Sequence, residues 1–332
     1  MEYVLLWLKN KKRMFESLAT IDQTRLNFSE GGLLYMNITL AIIMFGVALE
    51  IKSEHFKNIF LYPKSALLGI FSQIFLLPAL TFLLVLLLNP PPSIAMGMIL
   101  IAACPGGNIS NFISALSKAN VALSVSLTAF STLSATLVTP LNFAFWGNMY
   151  VNYYEKAKHL NIPIHIDFLQ MAQTVFILLG IPLLAGMWFA YKFPRITEKY
   201  KKKVKITSVI LYMTFIIGAL AANMQHIPGV IIPLGIVVML LNAQTLFTGY
   251  IVGTIGRVPR ADRRTLSIET GIQNSGLALV LIFNPKLFDA NGGMAFMAAW
   301  WGIWQMVTGL ALAYILSKIS ISEYGFLKVR SD

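Results

Sequence analysis

Two stretches, CPGGNISN at Cys104–Asn111 and ETGIQNSG at Glu269–Gly276, each interrupt a long apolar segment of this 332-residue chain. The first brings a Pro, two Gly and two Asn into the middle of the segment. The second brings a carboxylate, an amide pair and two Gly. An apolar helix has no local use for such residues, because unpaired polar groups in hydrocarbon are costly. Two broken helices far apart in sequence are the device by which secondary transporters build a midplane site for an ion and a solute.

Working outward, 57% of the residues are apolar and only 12% charged, where a soluble domain would hold roughly one quarter charged. The composition reads as an all-α polytopic membrane protein; a barrel would show short alternating segments instead. Nine apolar segments are expected to span, at about 31–51, 63–88, 92–116, 120–146, 168–191, 205–225, 229–256, 264–283 and 290–317. Residues 1–30 read as an interfacial lead-in with no cleavable signal peptide, and 318–332 as a tail.

The net charge of +12 gathers between the spans, so it signals topology and not nucleic-acid binding. Counted alternately, Lys52, Lys57, Lys64, Lys118, the run from Lys192 to Lys205, Arg257, Arg260, Arg263, Arg264 and Lys318 fall on one side. That side is read as cytoplasmic, with the C-terminus inside and the N-terminus outside. The basic run 199–205 also suits contact with lipid phosphates. The interrupted spans are each the penultimate one of their half, which points to inverted repeats of about 31–146 and 168–317, four spans against five.

Of fourteen acidic residues, Glu269 alone stands well inside an apolar segment, so it must be paired, protonated or bound to a cation. Arg264 is the structural alternative as a partner. Gln273 and Asn274 follow Glu269 closely, and Gly271 and Gly276 let carbonyls turn inward. Such an oxygen-rich set suits a hard cation. No Cys or His stands nearby to favour zinc or copper. Sodium fits best, with a proton on Glu269 as the competitor.

In the first break, a helix restarting near Ser110 would offer free N–H groups to an anion. Ser124, Thr128 and Ser131 share one face of the following span. Spacing alone leaves Ser124 and Thr128 open between ligand and packing roles, and favours packing for Ser131. Gln73, a lone amide in span 63–88, reads first as an interhelical hydrogen bond. The four histidines are expected outside the apolar spans, the single cysteine allows no disulfide, and no Walker loop is present, so an intramembrane enzyme or an ATP-driven pump is not indicated.

At these residues the chain resembles the bile acid:sodium symporter family, and its bacterial members in particular. CPGGNISNFISALSKANVALSVSLTAFSTL, IETGIQNSGLAL and ITLAIIMFGVALEI carry the likeness, which runs across all nine spans. The resemblance implies a core domain with two crossing discontinuous helices, a separate panel domain, and a multi-pass protein of the inner (plasma) membrane. It also implies two sodium sites. One would use Ser110, Asn111, Ser124, Thr128 and Glu269. The other would use Gln73, Glu269, Gln273 and main-chain oxygens of Thr270 and Ile272. Asn108 and Asn274 are expected to face the solute, with Gln305 in the last span at a position that touches substrate in relatives. There the family's Trp-His-Asn run is replaced by Trp304, Gln305 and Met306, which weakens the case for bile acid itself. The expected activity is sodium-coupled symport of an organic anion, bile-acid-like or a small carboxylate. The alternatives are a proton-coupled or efflux carrier of the same fold, or a membrane receptor.

Overall fold

The computed structural model describes residues 18–22, 24–26, 30–107, 109–158, 167–226 and 229–319. Among them the regular structure is helical, and the only β-type pairings are two isolated bridges, Arg25 with Asn291 and Gly106 with Gln273. All nine apolar segments fall on helices or on pairs of half-helices.

The helices are α1 (Glu30–Glu50), α2 (Ser53–Leu61), α3 (Pro63–Leu88), α4 (Pro92–Ala103), α5 (Ile109–Leu116) and α6 (Val121–Lys158). After them come α7 (Phe168–Lys192), α8 (Pro194–Ala222), α9 (Ile231–Ile255), α10 (Arg260–Gly271), α11 (Ser275–Phe283) and α12 (Gly292–Lys318). Five of these (α3, α6, α7, α9 and α12) are long and apolar enough to cross a membrane. Two segments differ from expectation in extent: 120–146 continues as helix to Lys158, and 205–225 begins at Pro194, taking the basic run into α8.

Local chemistry sets the ends. Pro63 and Pro92 stand at helix starts, where the missing N–H costs nothing. Asn89 ends α3 in the left-handed region, φ 50°. Asp167, Asn274 and Asn291 cap α7, α11 and α12 with their side chains. Inside α3, Pro78 cannot donate to Ile74, and a π-helical turn at Ser72–Leu76 precedes it. The freed carbonyl of Ile74 accepts a hydrogen bond from Asn142 Nδ2 at 2.9 Å. That turn carries Gln73.

Every residue of α4 from Ser93 to Ala103 is buried, as an all-round apolar helix should be. With α11 and the first half of α12 it forms the largest core cluster. Helices α9 and α10 pack face to face with Gly249 at the contact, where a Cβ would collide with the Leu266 carbonyl oxygen. Helix α1 packs chiefly on α7 and α8. Within the N-terminal segment, Leu18 and Ile21 are buried, and Asp22 accepts a hydrogen bond from the Ser93 N–H at 2.7 Å. Arg25 pairs with Asp289.

Candidate functional site

The two interruptions meet. Pro105 cannot continue α4, and Cys104 before it is extended at ψ 155°. Beyond Gly271 the second helix also opens, with Ile272 extended at ψ 108°. The unwound segments pair antiparallel: Gly107 N–H donates to the Ile272 carbonyl at 2.9 Å, and Asn274 N–H to the Pro105 carbonyl at 2.8 Å. Glycine eases this approach, since a Cβ on Gly107 would crowd the Gln273 carbonyl oxygen at 3.0 Å.

Other main-chain groups released by the second break find side-chain amides. Asn242 Nδ2 of α9 donates to the Gly271 carbonyl at 3.0 Å, and Thr308 holds that amide from its other side at 2.6 Å. Gln305 Oε1 of α12 accepts from the Gln273 N–H at 3.0 Å. Gln73 Nε2 donates to the Glu269 carbonyl at 2.9 Å. Three helices thus supply what the broken helix lost, as backbone at membrane depth demands.

Directly behind the crossing lies the Glu269 side chain, with no solvent exposure. Its Oε1 accepts from Ser110 Oγ and Ser124 Oγ, each at 2.5 Å, and from Thr128 Oγ1 at 3.1 Å. Its Oε2 accepts from Thr128 Oγ1 at 3.0 Å. Asn111 Oδ1 stands 2.9 Å from Ser124 Oγ and 3.3 Å from Thr128 Oγ1. Half-helix α5, helix α6 and half-helix α10 therefore converge on one knot of oxygens. Three hydroxyl protons face a carboxylate and an amide oxygen that together offer about six acceptor sites. The set is rich in acceptors and poor in donors.

Among the described residues, no basic side chain bonds it. Arg264 donates to the main-chain carbonyls of Ser117 at 2.8 Å and Ile319 at 3.0 Å, where it serves the C-terminal ends of α5 and α12. No group of three His, Cys, Asp or Glu side chains that could hold a metal ion occurs among the described residues. The donor chemistry is one carboxylate, hydroxyls and an amide carbonyl, which suits a hard monovalent cation. Gln273 adds to it: its Nε2 donates to the Thr270 carbonyl at 2.9 Å, while its Oε1 is buried with no hydrogen-bond partner.

Ser110, Asn111, Ser124, Thr128 and Glu269 thus come together in one cluster, and Gln73 joins it through the carbonyl of Glu269. The carbonyls of Thr270 and Ile272 each already accept one hydrogen bond. Asn274 Oδ1 is occupied in capping α11, accepting from the Leu277 N–H at 3.0 Å. Asn108 lies outside the described residues. Ser131 bonds the Thr128 carbonyl, within α6 itself.

Sequence reasoning passed over Asn242, a lone amide in an apolar span and therefore a visible signal. It also passed over Asp262, which is buried and accepts from Ser65 Oγ at 2.5 Å and Asn120 Nδ2 at 2.9 Å. Its basic neighbours make that stretch read as a loop.

On the other face of the crossing is a cavity of about 410 Å³. Gly107, Gln273, Asn274, Ser275 and Gln305 line one part of it, and α1 and α8 form its opposite wall.

A family model described as the Sodium Bile acid symporter family matches residues 37–229, more than half of the chain. The chain is 29% identical over 287 residues to the "uncharacterized sodium-dependent transporter YocS" of Bacillus subtilis (strain 168), covering 86% of this chain and 83% of that one. It is 29% identical over 267 residues to the P3 protein of Homo sapiens, covering 80% and 54%. To a probable chloroplastic sodium/metabolite cotransporter of Arabidopsis thaliana it is 31% identical over 252 residues, covering 74% and 58%. The chain thus spans little more than half the length of the human and plant relatives.

Proposed function

The chain belongs to the sodium bile acid symporter family, and from that membership and the geometry at the crossing we propose that it is a sodium-coupled symporter of an organic anion. The single observation that carries this reading is the Glu269 carboxylate, buried behind the crossing among three hydroxyls with no basic partner among the described residues. A buried charge must be balanced, and a cation held by the same oxygens does so. The names of relatives that are sodium-dependent transporters or cotransporters support sodium as that cation.

In this reading one sodium sits among Ser110, Asn111, Ser124, Thr128 and Glu269. A second is held by Gln73, Glu269, Gln273 and the carbonyls of Thr270 and Ile272. The orphaned Gln273 Oε1 supports the second site. Sodium ties α5, α6 and α10 together and fixes the crossing, and the crossing forms one wall of the solute cavity. Binding of ion and solute is then mutually favourable. Asn108, Asn274 and Gln305 meet the solute, a bile-acid-like molecule or a small carboxylate.

The transporter domain is 31–317 with nine spans, between an N-terminal interfacial segment at 1–30 and a cytoplasmic tail at 318–332. It is built from inverted repeats of about 31–146 and 168–317 in the inner membrane, N-terminus outside. Helices α1, α7 and α8 act as a panel and the rest as a core, and their relative movement alternates access. That α1 packs chiefly on α7 and α8 supports this division.

Proteoliposome uptake of radiolabelled taurocholate and of small carboxylates, with choline replacing sodium, tests the proposal. Uptake by at least one of them that collapses in choline is expected. Uptake indifferent to sodium but driven by a pH gradient would favour the proton-coupled reading of the same carboxylate. Binding without flux would favour a receptor.

A further inference from the structure

The cavity beside the crossing has two chemically different ends. At the crossing its lining is amide and main chain, chiefly Gln273, Asn274 and Gln305. Along α1 the lining runs from Leu40 to Glu50, about 15 Å at 1.5 Å per residue. It finishes on an ion pair, with Lys205 Nζ of α8 at 3.1 Å from both carboxylate oxygens of Glu50. Between these ends the walls are apolar, from residues such as Ile43, Val47, Ile109 and Phe112. Among the residues that line the cavity, Lys205 is the one cation and Glu50 the one anion.

The two side chains are 56% and 39% exposed, so this end is open while the carboxylate behind the crossing is sealed. A pair so exposed is weakly held, and its ammonium group can exchange one carboxylate for another at little cost. The Glu198–Lys201 pair, by contrast, closes within α8 and does not line this cavity.

We propose that Lys205 is the specificity-determining residue for substrate charge, holding the acid group of an elongated amphipathic acid whose other end reaches the crossing. Glu50 is the resident counter-ion that the incoming acid displaces, and it turns to water when released. The apolar middle selects for a hydrocarbon body, and the volume of about 410 Å³ falls in the range of pockets that enclose organic ligands, roughly 300–1,000 Å³. This inference rests on the transporter reading above and names the substrate class of the same cavity.

The test is a thermal-stability titration of the full chain in nanodiscs at saturating sodium. The probes are decanoate, taurocholate and, as the neutral match for decanoate, decanamide. At least one acid is expected to raise the melting midpoint of the wild type. Decanamide should do so only at concentrations about tenfold higher or more. Lys205→Met should weaken the acid response by about tenfold while leaving the decanamide response in place. Lys205→Arg should restore the acid response, and Glu50→Gln should shift it to lower acid concentration. An unchanged acid response in Lys205→Met, a weakened one in Glu50→Gln, or no response of the wild type to either acid would overturn the proposal. A sodium titration without acid separates the two readings. Absence of sodium stabilisation in the wild type sinks the symporter reading, while the acid series still reports on Lys205.

Discussion

At the scale of single residues, the chain concentrates unlike demands on Glu269. The carboxylate is sealed from solvent, and what surrounds it are hydroxyls that each own one proton. Thr128 is the informative member because its hydroxyl reaches both carboxylate oxygens, at 3.1 and 3.0 Å. Thr128→Val keeps the shape of the side chain and removes that oxygen. A sodium titration of the melting midpoint should shift to about tenfold higher sodium, the order expected when a buried partner worth about 1–3 kcal/mol is lost. Ser131→Ala, one turn further along α6, removes a hydroxyl that bonds only the Thr128 carbonyl, and should leave the sodium midpoint in place. Equal shifts in the two variants would mean that the hydroxyls serve packing. The sequence made Glu269 legible because a carboxylate in an apolar span has no bland reading. Ser124 and Thr128 were ambiguous because small hydroxyl residues also let helices pack closely.

At the scale of elements, the Pro and Gly residues announced both breaks, since they act through the chain's own geometry. What braces the breaks was not announced. Asn242 and Gln305 sit in ordinary apolar helices, and a lone amide does not declare which distant carbonyl or N–H it will meet. Helix limits were missed for a related reason. Hydropathy marks where a lipid-facing helix must stop being apolar, but helical hydrogen bonding runs on through residues 147–158 of α6 and starts early in α8. Gln305→Leu should leave the Gln273 N–H without a partner at the crossing. The expected result is a lower melting midpoint, from a loss of about 1–3 kcal/mol, together with weakened sodium stabilisation. A variant with the stability and sodium response of the wild type would show that α12 does not hold the crossing.

At the scale of the whole molecule, the basic residues give an orientation that labelling from one side of the membrane can check. Lys202 lies on α8 and Lys286 lies in the connection after α11. Three spans of the proposed topology separate them. Cys104 is the only cysteine and is buried, so a Cys104→Ser background carrying Lys202→Cys or Lys286→Cys makes single-site reporters accessible. A membrane-impermeant maleimide applied to intact cells should label position 286 and reach position 202 only after permeabilisation. Labelling of both from outside would break the nine-span scheme. The packing of α1 on α7 and α8, with the solute cavity on its remaining face, is the feature at this scale that periodicity could not reveal. It depends on which apolar faces pair, and those faces look alike in sequence.

The most direct measurement is the melting midpoint of the purified protein against sodium at constant ionic strength, choline making up the balance, for wild type and Glu269→Gln. Wild type should rise steadily with the logarithm of sodium once the sites begin to fill, and Glu269→Gln should stay flat. A sodium-dependent rise in Glu269→Gln equal to that of the wild type would contradict the assignment of the carboxylate behind the crossing as the ion's counter-charge.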